Sequence, residues 1–592
     1  MNISCPTTAR LAFAGLIALA WIGSEARIAT ADITTATGPR TLALPPPPPP
    51  YLKALPEVVE GWKDLRFGMF VCWGPVSLTG KEIGWSRGAP PWGLRPAVRG
   101  GRGDTPAEVY DNLCRQWKPD RFNAREWVGV AQEAGARYMI FLVKHHDGFP
   151  LYDTQLTDYR STGPASAWKV DVLKEIADAC HEAGLLLIPY YSQPDWHHPD
   201  FGGEHHDRYV QYLHGQIREL LTNYGRIDGL WFDGLGATAQ EWDAPNLFKL
   251  ARELQPHLII NDRCGLPGDF DTPEQSIGRF QVDRPWESCI TLGTQWSWKP
   301  NDTLKSLPDC IRTLVRCACR DGNLALNTNP MPDGRIEPRQ VERFREIGAW
   351  LKLYGESIYG TRGGPFVVSA SARGASGSWE GGSTHRGNTV YLHILGWPDA
   401  SLSLPPIPGR LLRGTALTGG SVSVEQTTNG LSISLPPVQR HAFDTIVKLE
   451  LDGPSEEIPV IRLASGSLTA GRKATASNFY QGQSEYRPER AVDDDLNTRW
   501  GCDWGTHSAW LEVDLGEPRT FERAFISEPY DRVRRFELQA KRGDAWETFH
   551  RGTTLGENFE TRFTPVTARQ VRLNLLETVD GPSIWEFQLF HD

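Results

Sequence analysis

Residues 226–234 have the sequence Arg226-Ile227-Asp228-Gly229-Leu230-Trp231-Phe232-Asp233-Gly234. The middle of this stretch is apolar and predicts a buried β-strand, which ends where the carboxylate of Asp233 meets a glycine. In a parallel α/β barrel, the carboxyl ends of the strands surround the active site. The stretch therefore predicts an α/β barrel with Asp233 as a catalytic nucleophile at its mouth.

Asp228 provides an internal comparison, because it lies in the same stretch at the start of the strand. Over five residues a strand advances about 16 Å, so its two ends lie at opposite faces of a barrel. The face at the amino ends of the strands serves stability rather than catalysis. We therefore expect Asp233, and not Asp228, to face the site.

The stretch belongs to a region, residues 51–362, in which apolar strands alternate with helices. Strand-like runs occur at Phe67–Trp73, Tyr138–Val143, Leu185–Tyr191, Ile227–Phe232, Leu258–Asn261 and Asn323–Asn327. Helical patterns lie at Ala124–Glu133, Val170–Glu182, Arg208–Asn223, Ala244–Leu254 and Leu304–Arg320. Apolar strands that alternate with helices predict a parallel sheet covered by helices. The length of the region, about 300 residues, favours a (β/α)8-like barrel.

The pattern changes after residue 362. Short β-type runs separated by Gly, Ser and Pro predict a β-sandwich at residues 363–452. Residues 453–467 are predicted as a linker, and residues 468–592 as a second β-rich domain. The predicted fold class is therefore multi-domain, α/β plus all-β.

The N-terminal segment has the features of a secretory signal. Arg10 precedes the apolar stretch Leu11–Gly23, and Ala29-Thr30-Ala31 resembles a cleavage site. We therefore expect a signal peptide at residues 1–31 and a secreted or periplasmic protein. Residues 32–50 are a Pro-rich linker, whose final run Pro45–Pro50 predicts a polyproline II spacer.

The composition excludes two classes of partner. The net charge is −10 and no basic run is present, which argues against nucleic acid or an anionic membrane surface. No segment after the signal has the roughly 18 apolar residues of a membrane-spanning helix. The 22 Trp suit a protein that stacks on sugar rings, and they suit equally the cores of a large β-rich protein.

The cysteines do not predict a disulfide framework. Nine remain after the signal, an odd number, and their spacing matches no dense framework. Most are expected to pack as small buried hydrophobic residues. A bridge from Cys310 to Cys317 or Cys319 is left open.

Polar side chains follow four of the predicted strands at their carboxyl ends. They are Lys144, His145, His146 and Asp147; Tyr190, Tyr191 and Ser192; Asp233; and Asn261, Asp262 and Arg263. Since these ends meet at one rim of a barrel, we expect the side chains to converge there. A zinc site is disfavoured, because neighbouring histidines on a strand point to opposite faces and no HExxH is present.

Glycoside hydrolysis needs two carboxyl groups and no cofactor. One must be ionised to attack the sugar, and the other must be protonated to assist the leaving group. Asp233 supplies the first. The candidates for the second are Asp262, Asp269, Asp271, Glu274 and Glu287, and the residues alone do not choose among them.

Five ordered motifs between about residues 55 and 450 resemble glycoside hydrolase family 29, the α-L-fucosidases. They are Arg66–Gly74, Lys144–Phe149, Leu230–Gly234, Asn261–Arg263 and Asp271–Glu274. The resemblance implies a retaining enzyme that acts on fucosylated oligo- or polysaccharides, with Asp233 as nucleophile. It also implies Glu274 as acid/base, with Glu287 as the alternative. The implied fucose pocket consists of His145, His146, Tyr191, Trp231, Arg263, Trp73, Cys72 and Trp85.

One position departs from the family pattern. The family typically has His before the Trp-Gly pair of the first motif, and here that residue is Cys72. A thiol is a weak hydrogen-bond donor and acceptor, so one sugar contact is lost or altered. The alternatives are therefore a related exo-glycosidase with another sugar preference, or a non-catalytic glycan-binding protein.

The C-terminal region resembles the F5/8 type C, or discoidin, family, which includes carbohydrate-binding module family 32. The matching pieces are Ala474–Ser477, Ala491–Trp500, Trp510–Gly516 and Ile584–Phe587. The resemblance implies a jelly-roll β-sandwich with a structural Ca²⁺ near Asp494, Asn497, Thr498 and Glu586. Asp495 is the alternative to Asp494 as ligand.

Overall fold

The structure is a computed structural model. It describes residues 49–88, 103–368, 379–397, 400–463, 465–496, 498–556 and 559–591. The predicted signal peptide and most of the Pro-rich linker lie outside the described residues. Within that linker, Pro50 begins a short 3₁₀ helix, Pro50–Leu52, so the polyproline II spacer does not extend to the end of the proline run.

The first region of the described chain is built on a parallel sheet. Its strands are β1 Phe67–Val71, β2 Tyr138–Lys144, β3 Leu186–Tyr191, β4 Gly229–Phe232, β5 Ile259–Ile260, β6 Glu287–Thr291 and β7 Asn323–Thr328. Their spatial order is β5-β4-β3-β2-β1-β7-β6. The order follows the chain from β1 to β5, which is how successive strand–helix units build a barrel wall.

An extended segment joins the two edges of this sheet. Isolated parallel bridges pair Phe270 with Asn261 beyond β5, and Glu274 with Cys289 on β6. The amide of Cys289 donates to the Pro273 carbonyl at 3.1 Å. We call residues 270–275 the closing segment, because it occupies the place of an eighth strand.

Helices cover the outside of the sheet. They are α1 Pro56–Leu65, α2 Ala107–Asp111, α3 Ala124–Glu133, α4 Val172–Ala183, α5 His206–Asn223, α6 Ala244–Leu254, α7 Leu307–Cys319 and α8 Pro338–Tyr354. Side chains of Asn123, Asp171 and Ser306 cap the first turns of α3, α4 and α7. Gly184 ends α4 in the left-handed conformation, which glycine adopts at helix C-termini without steric cost.

Strand side chains alternate between two apolar layers. Met69, Val71 and Trp73 lie in the layer between sheet and helices. Phe70 and Cys72 lie in the barrel interior, together with Tyr190 and Trp231. This alternation follows from the two-residue repeat of a strand, and it decides which residues can reach the mouth of the barrel.

Two β regions follow the barrel. The first has strands β8 Arg362–Gly363, β9 Phe366–Val368, β10 Glu380–Arg386, β11 Thr389–Gly396, β12 Ser401–Leu404, β13 Leu411–Ala416, β14 Ser423–Thr427, β15 Gly430–Ser434 and β16 Thr445–Leu451. They form a sheet β13-β16-β11-β10-β8 and a sheet β12-β15-β14. A shared apolar core packs between them. In the predicted linker, β17 Ile461–Leu463 pairs with β9, so this stretch is tied to the sandwich.

The second β region has strands β18 Lys473–Ala476, β19 Trp500–Gly501, β20 Ala509–Ser527, β21 Val533–Arg542, β22 Ala545–Gly552, β23 Phe559–Thr578, β24 Ser583–Ile584 and β25 Glu586–Phe590. The main sheet has the order β18-β20-β23-β21-β22, and β25 pairs with β20. It has its own apolar core. The predicted α/β barrel followed by two β domains is confirmed.

The cysteines of the described chain are separate thiols. Cys310, Cys317 and Cys319 are all free and buried, so the bridge left open above is not formed. Burial of all nine agrees with their expected role as small core residues. Among the described helices, none has the combination of length and apolar character needed to cross a membrane.

Candidate active site

A pocket opens at the carboxyl ends of the barrel strands. It is lined by Phe70, Cys72, Trp85, Leu142, His145, Tyr190, Trp231, Asp233, Arg263, Glu274, Cys289 and Trp296. The lining combines aromatic and apolar walls with a few charged groups, as sites for small ligands do. Most residues predicted for the site meet here.

Asp233 stands at the floor of the pocket, directly after β4. The Tyr190 hydroxyl donates to Asp233 Oδ2 at 2.7 Å. Arg263 Nη1 donates to Asp233 Oδ1 at 3.1 Å. The Asp233 amide donates to Gln193 Oε1 at 2.7 Å. Because each oxygen has a partner and the backbone is held, the carboxylate has a fixed orientation.

The surroundings of Asp233 favour its ionised form. Burial, the largest single effect, raises the pKa of Asp233, but the charge of Arg263 and the other favourable contacts together outweigh it, and the pKa lies below its ordinary value. Interaction with His146 and the hydrogen bond from Tyr190 act in the same direction. The group is therefore an anion at neutral pH, as a nucleophile must be.

Asp228 lies elsewhere, as its place in the strand predicts. Its Oδ2 accepts from the Leu187 amide at 3.0 Å, and its Oδ1 pairs with Arg226 at 2.7 Å. Both contacts involve residues at the amino ends of β3 and β4. Asp228 thus ties two strands together at the face opposite the pocket.

Glu274 reaches the pocket from the closing segment. Arg263 Nη1 donates to Glu274 Oε2 at 2.9 Å, so one nitrogen serves both carboxylates. The two accepting oxygens are therefore no more than about 6 Å apart, close to the carboxyl separation of about 5–5.5 Å in retaining glycosidases. The Glu274 side chain is 42% exposed and that of Asp233 13%, which puts Glu274 at the mouth.

Glu287 occupies a different place. It begins β6 and is fully buried in the barrel interior, where Tyr138 donates to one oxygen. Trp231 Nε1 donates to its other oxygen at 3.0 Å. Burial raises the pKa of Glu287 to about 7. Glu287 does not line the pocket, so it supports Trp231 from below rather than meeting the leaving group.

The remaining carboxyl candidates have structural partners. Asp269 pairs with Arg252 at 2.7 Å, and Asp271 pairs with Arg284 at 2.6 Å. The Thr272 hydroxyl donates to Asp262 at 2.7 Å. None of the three lines the pocket, so Glu274 is the second carboxyl group that shares it with Asp233.

His145 and His146 lie side by side at the end of β2. His145 lines the pocket, and its Nδ1 is buried without a partner among the described residues. Burial, and then repulsion from His146, hold the pKa of His145 well below its ordinary value. It is therefore neutral, and able to donate one hydrogen bond to a sugar hydroxyl and accept another.

The contacts of Ser192 assign the tautomer of His146. The Ser192 hydroxyl has one proton, which it donates to the Pro194 carbonyl at 2.7 Å. The same oxygen lies 2.5 Å from His146 Nδ1 and must therefore accept a proton from it. Burial lowers the pKa of His146 to about 4, so the ring is neutral and its other nitrogen, Nε2, carries a lone pair. Nε2 lies 3.5 Å from Asp233 Oδ2 and can accept from a sugar hydroxyl there.

Replacing Ser192 with alanine is expected to release this tautomer. The Nε2-protonated form of His146 then gains population, since it can donate to Asp233. We expect kcat/KM to fall about tenfold, the cost of one hydrogen bond near a charged group. The check is the ¹⁵N spectrum of histidine-labelled protein, assigned with His146→Gln. Ser192→Thr keeps the hydroxyl and should keep the spectrum; an unchanged spectrum in Ser192→Ala would refute the assignment.

For two residues, the prediction that they line the pocket is wrong. Trp73 packs outside the sheet against Trp117 and Trp127, with ring centroids 4.5 and 4.9 Å away. The Tyr191 hydroxyl donates to Gln216 at 2.7 Å on the same outer side. The preceding residue lines the pocket in each case: Cys72 precedes Trp73, and Tyr190 precedes Tyr191. Adjacent strand residues face opposite sides of the sheet, which explains the displacement by one position.

Of the other predicted pocket residues, Cys72, Trp85, His145, Trp231 and Arg263 line the pocket, whereas His146 is buried beside Asp233, at 3.5 Å, without lining it. Trp85 lines the mouth, 36% exposed, with its edge towards His146. Burial holds the pKa of Cys72 well above its ordinary value, so its thiol stays neutral. Among the lining residues, Tyr190 was predicted for the rim but not for the sugar pocket, whereas Phe70, Leu142, Cys289 and Trp296 were not predicted. Tyr190 pairs in register with Trp231 across β3 and β4, so both side chains face the pocket. Trp296 lies in a loop that carries no motif.

The acidic loop of the last domain fits a cation in part. Glu586 is buried, and its Oε2 has no partner among the described residues. Burial and the charges of Asp493 and Asp494 hold the pKa of Glu586 well above its ordinary value. Ser465 and Gln588 donate to the two oxygens of Asp494 at 2.7 and 2.8 Å, and Asp493 is the carboxylate whose charge acts most strongly on Glu586. The hydroxyl of Thr498 donates to Asp493 at 2.8 Å.

Asn497, the remaining predicted ligand, lies outside the described residues. In the ranges that the structure covers, no group of three or more His, Cys, Asp and Glu side chains forms a metal site. An ion at this loop would therefore rely on Asp493 and Glu586, completed by uncharged oxygens. Such a ligand set is acceptable to Ca²⁺, which takes carbonyl and hydroxyl oxygens readily.

Two family models match the chain. The model described as Alpha-L-fucosidase matches residues 52–356, and the model described as F5/8 type C domain matches residues 473–587. The first range contains every residue that lines the pocket. The second contains the main sheet of the last domain and its acidic loop.

The chain is similar to several proteins named alpha-L-fucosidase. Plasma alpha-L-fucosidase of Homo sapiens is 27% identical over 423 residues, which cover 65% of this chain and 87% of that protein. The solved alpha-L-fucosidase isoenzyme 1 from Paenibacillus thiaminolyticus is 32% identical with a TM-score of 0.58, and covers 67% of this chain and 99% of its own.

A third likeness concerns the fold alone, because the identity is 23%. It is to an alpha-L-fucosidase GH29 from Bacteroides thetaiotaomicron, solved as a trapped covalent intermediate in complex with 2-fluoro-fucosyl fluoride. The TM-score is 0.56, and the match covers 68% of this chain and 97% of that chain.

Proposed function

Because the chain belongs to the alpha-L-fucosidase family of glycoside hydrolases, we propose that it removes terminal α-L-fucose from glycans by a retaining double displacement at Asp233. The observation that carries this proposal is the pair of carboxyl groups held by one nitrogen of Arg263. Their closeness leaves little room for a water between them, as inversion would require.

In the first step, the Asp233 carboxylate attacks the anomeric carbon. The bond from that carbon to the leaving oxygen breaks, and Glu274 gives its proton to this oxygen. The product is an ester between Asp233 and the sugar, with Glu274 as carboxylate. The Bacteroides thetaiotaomicron relative has been trapped as a covalent intermediate with 2-fluoro-fucosyl fluoride, which is in keeping with this route.

In the second step, a water replaces the departed glycan. Glu274 takes a proton from the water, whose oxygen attacks the anomeric carbon and breaks the ester. Fucose leaves, Asp233 is again a carboxylate and Glu274 is again protonated. Arg263 remains a cation in both steps. It therefore stabilises negative charge first on one carboxyl group and then on the other.

The second candidate is a related exo-glycosidase with another sugar preference. Cys72 favours it, because this thiol occupies the wall where the family usually has a histidine. A neutral thiol offers a weaker partner to a sugar hydroxyl than imidazole does. A sugar without a hydroxyl group next to Cys72 would lose less binding free energy from this replacement.

A panel of 4-nitrophenyl glycosides separates these candidates. We expect the α-L-fucoside to be cleaved, and 2-fluoro-fucosyl fluoride to label the peptide that contains Asp233. Cleavage of another glycoside with none of the fucoside would support the second candidate. Sugar binding without cleavage of any glycoside would instead favour a non-catalytic glycan-binding protein.

The terminal regions support a secreted enzyme that is tethered to glycans. The N-terminal segment has the features of a signal peptide, and the last domain belongs to a type that includes carbohydrate-binding modules. We infer export with cleavage after Ala31, which N-terminal sequencing of the exported protein would test. Exposed Trp504 and Tyr530 stand beside Arg532 at one end of the last domain and suit a sugar-stacking surface.

We also propose that the last domain holds a structural Ca²⁺ at Asp493 and Glu586. The ion would neutralise the buried Glu586 and occupy its unpartnered oxygen. If the ion binds the folded state with a Kd of about 10 μM, then 1 mM Ca²⁺ adds about 2.7 kcal/mol to the stability of this domain. We expect EGTA to lower its melting temperature and Glu586→Gln to abolish that response. Equal melting curves with and without Ca²⁺ would contradict the proposal.

A further inference from the structure

A second, larger cavity lies between the barrel and the last domain. Its volume is about 700 Å³, against about 40 Å³ for the active-site pocket. On the barrel side it is lined by residues of the closing segment, β6, α7 and the loops between them. On the other side are Leu496, Ser527 and Trp585. We call it the interdomain cleft.

The cleft exists because the barrel lacks a helix there. Residues 261–286 connect β5 to β6 through the closing segment without helical structure, whereas the other described connections between neighbouring strands β1–β7 contain helices. The outer face of the closing segment is therefore not covered by the barrel's own helices. The last domain faces this gap without filling it.

The interdomain cleft and the active-site pocket share a wall. Pro273 and Gln275 line the cleft, while Glu274 between them lines the pocket. Asp271 and Thr272 also line the cleft, so Glu274 is the one residue of 271–275 that turns to the pocket instead. Glu274 is also the exposed group at the mouth, where a leaving group would emerge. A chain attached to the sugar would leave the pocket beside this wall.

The lining of the cleft suits an oligosaccharide. Trp585 lies between Ile584 and Glu586, which point into their own domain, so its side chain points outward to the cleft. Its indole offers a flat apolar face, and Gln275, Ser276 and Thr313 offer polar groups nearby. Such a mixture of one aromatic face and several hydrogen-bonding groups matches a polar sugar ring better than an apolar ligand.

The charge of the lining favours an acidic chain. The cations that line the cleft are Arg279, Lys305, Arg316 and Arg320, and the carboxyl groups are Asp262 and Asp271. Asp271 forms an ion pair with Arg284, so its negative charge in the cleft is partly neutralised. Arg316 is likewise paired, with Glu380. The excess of cations is expected to attract sulfate or carboxylate groups on a glycan.

We propose that the interdomain cleft binds the glycan chain from which fucose is removed, and that it prefers chains with anionic groups. The inference rests on the proposed fucosidase activity and extends it. The last domain thereby contributes a substrate contact, Trp585, in addition to any tethering at Trp504 and Tyr530. Selection among fucosylated glycans then occurs outside the pocket that holds the fucose.

The test compares a small and a large substrate in the full-length protein. We expect Trp585→Ala to raise KM about tenfold for a fucosylated oligosaccharide and to leave kcat and KM for 4-nitrophenyl α-L-fucoside unchanged. Trp546→Ala is the matched control, because Trp546 is a half-buried tryptophan of the same domain that does not line the cleft. It should not alter KM for the soluble oligosaccharide.

A second pair of substrates tests the charge preference. A sulfated fucan oligosaccharide should have a lower KM than its desulfated form, and a uronate-containing fucosylated chain shows whether carboxylates act alike. Arg279→Gln, an exposed position, should narrow the difference even if Trp585→Ala fails to fold. Equal effects of Trp585→Ala on both substrate sizes, or no effect on either, would overturn the inference. Failure of the wild type to cleave the aryl fucoside would instead overturn the proposed function.

Discussion

Replacement of Asp233 by glycine is expected to lower kcat by about four orders of magnitude or more, with the fold intact. The substitution removes the group that forms the sugar ester, and no other described carboxylate shares the floor of the pocket. It also deprives Tyr190 and Arg263 of an acceptor, although both lie beside solvent in the opened pocket. The measurement is steady-state hydrolysis of an aryl fucoside, with circular dichroism as the check on folding.

Azide should restore part of the activity of Asp233→Gly and give a fucosyl azide of inverted configuration, because the anion enters the space of the lost carboxylate. Asp228→Asn is the matched control, since Asp228 lies in the same strand and contacts Leu187 and Arg226 instead of the pocket. It should lower the melting temperature and keep kcat near that of the wild type. Substantial turnover in Asp233→Gly without azide would remove Asp233 from its role.

The second large effect is expected from Glu274→Gln, and it should depend on the leaving group. Natural glycans need protonation of the departing oxygen, so their hydrolysis should slow by about 10²–10⁴-fold. A 2,4-dinitrophenyl fucoside needs little such help in the first step and should show a burst followed by slow release of the ester. Stopped-flow measurement of the burst distinguishes loss of the acid from loss of binding.

Glu287→Gln is the control for this prediction, because it makes the same change at a carboxyl group that the pocket does not include. Glu287 is buried with the pKa raised to about 7, so it is partly neutral at pH 7 and the amide is nearly isosteric. We expect a modest loss of rate that is the same for all leaving groups. If the loss of rate depended on the leaving group in Glu287→Gln but not in Glu274→Gln, Glu287 and not Glu274 would be the acid/base.

The part of the fold that follows from local physics was predictable. Strands β2 and β4 are continuous apolar runs, and α3 and α6 begin and end where their amphipathic patterns do. Strand β6 was missed because Glu287–Thr291 is mostly polar, and its carboxylate is satisfied only by Tyr138 and Trp231 from distant strands. Tertiary contacts of this kind leave no local pattern in the sequence.

The site shows the same division. Asp233 was found from its position at the end of an apolar strand, without reference to any family. Tyr191 and Trp73 were assigned to the wrong face of the sheet. A strand residue and its direct neighbour face opposite sides of the sheet, and the sequence motifs identify the strand without showing which of its residues face the pocket. Glu274 was identified only through the resemblance, since the closing segment has neither strand nor helix periodicity.

The closing segment has a consequence for how this enzyme could change. Asp233 is carried by a strand inside the sheet, so any displacement of it would disturb the packing of its neighbours on both sides. Glu274 is carried by a segment joined through isolated bridges, with a helix-free loop after it. Insertions in that loop can reshape access to the pocket while the attacking group stays in place. We therefore expect differences in glycan preference between homologues to accumulate around residues 262–286, where sequence changes destabilise the barrel least.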